Sequence, residues 1–573
     1  MVFTKDVEQN ILKNINKENM DELLKKFSTI DRLSGHRGEE EALGYIMNKL
    51  DEYGIGYDVH HFDAYLSDPV RGELEILSPQ RFSLEAKTRS FSANCPEGIE
   101  GEIVYLPAEG SILDQTSEIK WSYDEINGKI VLSEGGSPQH IEKAQDLGAI
   151  GLIHMWPSEE DVIHEMISTP VWGTPTPETI KNIPKIPEIS IKNKDGKKLI
   201  ELLNNGPVRV RVSTEVNTGN RKLMLPVASI PGRTNQYVLL SGHIDSWYEG
   251  ITDNAVGNAL CLELSRVFKM CCDNLERGIK IAWWPGHSNG RYAGSTWYCD
   301  NFWMDLHENC VAYINADSPG SKNGVNMLIR TPLIEEPEYF HNIVKKVTGQ
   351  TPRWDHPFRA GDNSFWGPGI PFHLMLRDEP DEQYGKAKVG GSGGGWWWHS
   401  EEDTYDKADL DLLHRDAKVY ALFTYSLADT ELLPINLKVF TSKLQNLLKE
   451  IKDNLEEDLD LSPAEQALNS LYYAAGKIEG YKPRDKDEFN RLLKHVGGIL
   501  NRLVYSYGSR YYQDPAYPQK PLNGLYRLSG LNKANIGEDL YLFYKTDFIR
   551  QRNRFVSEIT NAANCIEAFL KKD

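Results

Sequence analysis

Long apolar runs are missing from this 573-residue chain. None approaches the ~20 residues that cross a bilayer, which argues against membrane insertion. Cysteine is scarce. The seven present, Cys95, Cys261, Cys271, Cys272, Cys299, Cys310 and Cys565, are scattered and odd in number, which excludes a disulfide framework; adjacent Cys271 and Cys272 lack zinc-ribbon spacing, so free thiols are expected. Positive charge is in deficit, 64 basic against 83 acidic side chains for a net −19, which argues against nucleic-acid or anionic-membrane partners. The opening "MVFTKDVEQN" has no basic patch followed by an apolar stretch, so neither a secretory signal nor a transit peptide is read and a cytoplasmic location is expected. No internal repeat is visible. The one low-complexity stretch, "GGSGGG" at Gly390 to Gly395, reads as a mobile hinge.

What is present is a globular composition, 40% hydrophobic and 26% charged, at a length that calls for several domains. Two helices open the chain, in "NMDELLKKFSTI" and in "RGEEEALGYIMNKLDEYGI", where Leu43, Ile46, Met47 and Leu50 recur at helical spacing and Gly54 provides the stop. From Arg71 to about Val216 short strands alternate with Gly and Pro, as in "GELEIL", "GKIVLSEG" and "AIGLIHM". After Arg221, "NQYVLLSGH", "NAVGNALCLELSRVFKM", "GIKIAWW" and "NCVAYINAD" alternate buried strand with helix. The expected fold class is therefore α/β, a mostly parallel mixed sheet with helices on both faces and ligand groups beyond the carboxyl ends of its strands. From Pro434 the pattern is helical, with Ser462, Pro463 and Glu465 of "SPAEQALNSL" placed at N-cap, N1 and N3 of a capping box.

Several strand ends and one loop finish on metal-type side chains. "SGHIDSW" gives His243 and Asp245, "GITDNAVG" gives Asp253, "NADSPG" gives Asp317 and "WWWHSEEDT" gives His399. Imidazole and carboxylate suit Zn²⁺ and its borderline neighbours, and three or four of them with an open position make a catalytic site.

"VLLSGHIDSWYEGITDNAVGNALCLELSRVF" resembles the first metal motif of the zinc aminopeptidase and glutamate carboxypeptidase family, whose architecture is shared by the non-catalytic transferrin receptor. "INADSPG" resembles its second carboxylate motif, "GIPF" its late strand and "WWWHSEEDTYDK" its last histidine motif. The resemblance implies a phosphorylase/hydrolase-like zinc peptidase core in residues 1–92 and 217–430, a protease-associated-like insert in 93–216, and a helical dimerisation-like domain in 431–573. It further implies that His243, Asp253 and Asp317 hold one ion, that Asp253 bridges to a second held also by His399, and that Asp245 orients His243. Zinc, one or two ions, is the expected cofactor, with Mn, Fe and Co as alternatives. Metal-assisted attack of water on an amide follows.

One motif departs from the family. Its members carry adjacent glutamates, a general base and a metal ligand, three and four residues after the strand tryptophan. This chain reads Trp284, Pro285, Gly286, His287, Ser288 and has neither glutamate. His287 alone in that turn can do either job. The preferred expectation makes it a ligand completing the second site with Asp253 and His399; the alternatives are a base and a plain loop histidine. If it is a ligand, Glu249, Glu401 and Glu402 are the neighbouring acids available as base. Trp398, Arg291 and Arg359 are the expected substrate contacts, the tryptophan as an aromatic wall and the arginines as carboxylate clamps. The function expected is hydrolysis of C–N bonds in peptides or small acylated amino acids, by a homodimer formed through the helical tail. Two rivals stand beside it: a non-catalytic transferrin-receptor-like homologue, and a metal enzyme of different chemistry on the same fold.

Overall fold

Three helices begin the chain, Lys5–Asn14, Lys17–Phe27 and Arg37–Glu52, in a computed structural model that describes residues 5–108, 119–333, 339–381, 389–531 and 533–572. The sequence pattern indicates only the second and third. The first is largely polar and rests on the buried Ile11 with half-buried Val7, too sparse a stripe to read. In the third, Leu43, Ile46 and Leu50 are buried. Gly54 then turns the chain out at φ +63°, which lets the Ile55 N–H reach the Leu50 carbonyl.

Thirteen strands follow among the described residues: β1 (Tyr57–Ser78), β2 (Phe82–Thr88), β3 (Cys95–Tyr105), β4 (Ile130–Ser133), β5 (Gly151–Met155), β6 (Glu188–Ile191), β7 (Arg209–Ile230), β8 (Tyr237–His243), β9 (Gly278–Trp284), β10 (Cys310–Asn315), β11 (Gly324–Arg330), β12 (Arg353–Asp355) and β13 (Phe372–Pro380). They are joined in the order β1-β2-β6-β5-β4-β3-β7-β9-β8-β10-β13-β11-β12. At the centre, β8 runs parallel to β9 and β10, and β10 parallel to β13. Every residue of β8 is buried because helices cover both faces. Val238 and Leu240 pack with the amino-terminal helices and with Val256–Cys271 and Leu410–Asp429. Tyr237 and Leu239 pack with the helix Ala293–Asn301 on the other side. This is the α/β sheet expected, and it brings the ends of β8, β9 and β10 to one edge.

β1 and β7 pair antiparallel from Tyr57 opposite Ala228 to Ser78 opposite Arg209. Their far halves carry the insert. There β3, β4, β5 and β6 lie parallel, and β2 closes the edge between β1 and β6. The strand Phe82–Thr88 therefore links β1 to the sheet of the insert, and the sheet runs on across residue 93. Two strands that cross from one unit to the other show no change of texture where they cross.

The carboxyl-terminal region is helical, with Leu437–Lys452, Ser462–Ile478, Lys486–Tyr505 and Glu538–Lys572 as its long helices. The expected capping box does not form. Ser462 is already helical, its N–H donates to Asp460 Oδ1 at 2.8 Å, and Glu465 pairs with Lys452 at 2.8 Å, so the aspartate two residues upstream does the work assigned to the serine. All seven cysteines are free thiols. No described helix is long and apolar enough to cross a membrane.

Candidate metal centre

β8 delivers His243 into the interior at the sheet edge, where its ring is 1% exposed. Its Nδ1 donates to the Asp245 carbonyl at 2.9 Å, leaving Nε2 to face the acids. Asp253, in the turn Ile251–Ala255 that starts the next helix, places Oδ1 2.9 Å from that nitrogen, and Asp317, two residues beyond β10, places Oδ1 at 3.8 Å. His399 approaches Asp253 from the other side, Nε2 to Oδ2 3.2 Å, with its Nδ1 held by the Glu165 carbonyl at 2.9 Å. His243 and His399 thus meet at Asp253, and Asp317 joins them through His243.

The electrostatics of this meeting call for positive charge. Burial alone would lower the pKa of His243, yet Asp245, Asp253 and Asp317 together hold it well above the ordinary value. Burial would raise Asp253, and His243 and His399 pull it well below the usual carboxylate range. His243 Nε2 and Asp253 Oδ1 are buried and 2.9 Å apart, but neither completes a hydrogen bond. An imidazole nitrogen facing two carboxylate oxygens, at 2.9 and 3.8 Å, is chemistry that fits a divalent ion of the zinc type.

Asp245 acts mainly through a different route from the one its motif implies. Its carboxylate lies 3.6 Å from His243 Nδ1, beyond hydrogen-bond reach, and the main-chain carbonyl orients the ring instead. The carboxylate accepts the N–H groups of His287 at 3.2 Å and Ser288 at 2.8 Å, so it shapes the turn after β9. That turn is fixed from behind as well. Gly286 sits at φ +71° and donates its N–H to Ser34 Oγ at 2.6 Å, and the Ser34 hydroxyl donates to buried Glu39 at 2.5 Å.

His287 is not beside His399, so the expected set of Asp253, His399 and His287 is not assembled. Its ring stacks on that of His243, centroids 3.7 Å apart and planes 11° from parallel. Ligand atoms of His243, His287 and Asp317 lie within 4.8 Å of one another. The Nδ1 of His287 meets Asp362 Oδ2 at 2.7 Å. Sequence reasoning missed Asp362; its signal was the "GDNS" that begins two residues after Arg359, an acid beside a glycine. None of Glu249, Glu401 and Glu402 lines the cavity beside the centre. Glu401 is engaged by Lys87 at 2.6 Å.

The cavity, of about 100 Å³, is walled by the core, by Ser137, Pro138, Met166 and Ile167 of the insert, and by Ala516 and Pro518 of the helical region. Both arginines reach it but are committed to main-chain oxygens. Arg291 donates to the carbonyls of Thr169 at 3.0 Å and Ile167 at 2.9 Å, fastening the insert over the site. Arg359 donates to the carbonyls of Asn363 and Asp514 and lies 3.6 Å above the Trp172 ring. Neither is the free carboxylate clamp expected.

Trp398 does line the cavity. It stacks on His399 at 3.7 Å and donates its indole N–H to Asp253 Oδ2 at 2.6 Å. The glycines before it are no open hinge, since Ser392 to Gly395 are buried. A Cβ on Gly391 would stand 2.3 Å from Trp398 Nε1, and one on Gly395 2.4 Å from Trp397 Cζ2. Arg291, Tyr292, Ser318, Asp362 and His399 all take left-handed backbone conformations, a concentration of strain typical of a functional site.

Residues 227–424 match Peptidase family M28. Transferrin receptor protein 2 of Mus musculus is 21% identical to this chain, over 89% of the chain and 74% of its own length. Leucine aminopeptidase 2 of Trichophyton equinum is 25% identical over 52% of the chain, which spans 56% of that relative's length. Among solved structures, BSAP, a zinc aminopeptidase from Bacillus subtilis, superposes with a TM-score of 0.54 at 16% identity, covering 73% of this chain and 95% of its own. At that identity the likeness is one of fold.

Proposed function

We propose, from the match of residues 227–424 to Peptidase family M28, that this chain is a metal-dependent hydrolase of C–N bonds in peptides or small acylated amino acids. The observation that carries this reading is that His243 Nε2 has Asp253 Oδ1 at 2.9 Å and Asp317 Oδ1 at 3.8 Å, with the first two atoms buried and lacking hydrogen bonds. A zinc ion held by these three would polarise the scissile carbonyl and acidify a water toward neutral pH.

His287 takes the place of the missing base. Its Nδ1 faces Asp362, so the proton resides there and Nε2 is the free acceptor. From Nε2 the ring can take a proton from the attacking water and return it to the departing amine, while Asp362 fixes the tautomer and balances the charged ring. The stacking on His243 favours this role over coordination. An imidazole lone pair lies in the ring plane, and rings 3.7 Å apart and 11° from parallel send their lone pairs side by side rather than to a common ion. Apolar lining from Met166, Ile167, Trp247 and Phe358 supports a substrate with an apolar side chain next to the bond cut.

The test is a panel of dipeptides, dipeptide amides and N-acyl amino acids, assayed with the full chain loaded with Zn, Mn, Fe or Co. We expect hydrolysis of at least one class, a kcat about 10²–10⁴-fold lower in His287→Ala, and loss of bound metal in Asp317→Asn. Inertness of the metal-loaded chain across the whole panel would overturn the reading in favour of a binding protein.

A further inference from the structure

Resting on the hydrolase reading above, we infer that the centre holds one metal ion, on the side of His243, Asp253 and Asp317, and that the Trp398 indole N–H takes the place beside Asp253 that a second ion would need. A bridging aspartate must offer one oxygen to each of two cations. Here the two oxygens differ. Oδ1 faces His243 Nε2 at 2.9 Å and makes no hydrogen bond, whereas Oδ2 accepts the Trp398 N–H at 2.6 Å.

The indole is not free to withdraw. Its ring lies against His399 at 3.7 Å and meets Trp156 edge-on at 6.2 Å, and Gly391 packs so closely beneath it that a Cβ would come within 2.3 Å of the donating nitrogen. A cation in contact with Oδ2 would meet the positive end of this fixed N–H dipole.

The donor count points the same way. Beyond the shared oxygen, what faces the second position among the described residues is His399 Nε2, 3.2 Å from Oδ2. Catalytic zinc is ordinarily held by three protein ligands. In the turn after β9, Ser288 offers a hydroxyl in place of a carboxylate, and His287 has turned away to Asp362 and His243. Of the other acids, Asp403 accepts from Thr252 and from the Asp253 N–H, Glu165 Oε1 accepts from the Tyr248 hydroxyl at 2.6 Å and Asp378 Oδ2 accepts from Arg415 at 2.8 Å, while Glu165 Oε2 and Asp378 Oδ1 are buried without a hydrogen bond.

Metal stoichiometry decides the matter without any assay of activity. Full-length protein is equilibrated with Zn²⁺, freed of excess and analysed for metal, and in parallel the stripped protein is titrated with Co²⁺ while its visible absorption is followed. We expect saturation at one equivalent, retention of that equivalent in His399→Gln, and its loss in Asp317→Asn. Two equivalents in the wild-type chain, or loss of the ion in His399→Gln when circular dichroism shows a folded protein, would overturn the one-ion inference while leaving the hydrolase reading intact. No bound metal at all would overturn both.

Discussion

The rings of His243 and His287 lie face to face, centroids 3.7 Å apart, while the second is held at its far nitrogen by Asp362, 2.7 Å away. This relationship separates the two histidines chemically. One is buried among acids that demand a cation, and the other is a tethered imidazole with one nitrogen free.

Asp362→Asn should therefore act on the rate and not on the metal. The amide cannot balance a charged ring, and kcat should fall about 10²–10⁴-fold. KM and zinc content should stay near wild type. Steady-state kinetics paired with metal analysis of the same preparation checks this, and a variant that loses zinc in step with its activity would contradict it.

Glu39 should make stability depend on pH. Burial, helped by the charge of Asp245, lifts its carboxyl from about 4.5 to about 8. Between those values the folded chain holds a proton there that the unfolded chain has released, so stability falls as pH rises across that window, by at most about 1.4 kcal/mol per pH unit from this group. Urea midpoints measured at pH 5 and pH 8 should lie closer together in Glu39→Gln than in the wild-type chain.

Arg291→Lys should loosen the insert over the cavity. A lysine cannot reproduce the two hydrogen bonds that the guanidinium gives to Ile167 and Thr169. Losing one or both costs about 1–3 kcal/mol locally, and amide exchange in residues 163–170 should quicken about 10–100-fold. Unchanged exchange there would show that the arginine is not what fastens this segment.

Gly391→Ala should disturb the centre from below. The added methyl would overlap Trp398 Nε1 and Cδ1, 2.3 and 2.7 Å away, and overpacking of this kind costs about 1–3 kcal/mol. The denaturation midpoint should drop, with a change in tryptophan fluorescence as the indole shifts.

Much of this site was legible in the sequence because sheet physics concentrates it. His243 and Asp317 stand at or just past the ends of buried strands, and Asp253 and His399 lie in motifs that travel with them. Asp362 was not legible. It reaches His287 from 75 positions further along, out of a loop whose only mark is a glycine beside an acid. The arginines were placed correctly at the cavity and given the wrong task, since nothing in a sequence tells which carbonyls will lie within a guanidinium's reach. The run "GGSGGG" misled for a related reason. Glycine frees a backbone in water and equally lets it press against an indole, and the two uses share one composition.

The paired strands β1 and β7, each 22 residues long and hydrogen-bonded from Tyr57 to Ser78 against Arg209 to Ala228, form a single beam running out of the core. The ladder slips register between Pro69 and Arg71 and again between Ile76 and Ser78, and irregularities of this kind bend and twist a paired ribbon. The tilt of the insert over the cavity, and with it the width of the opening through which a peptide would enter, is therefore set at Pro69 to Arg71 and by the Arg291 contacts that hold the far side.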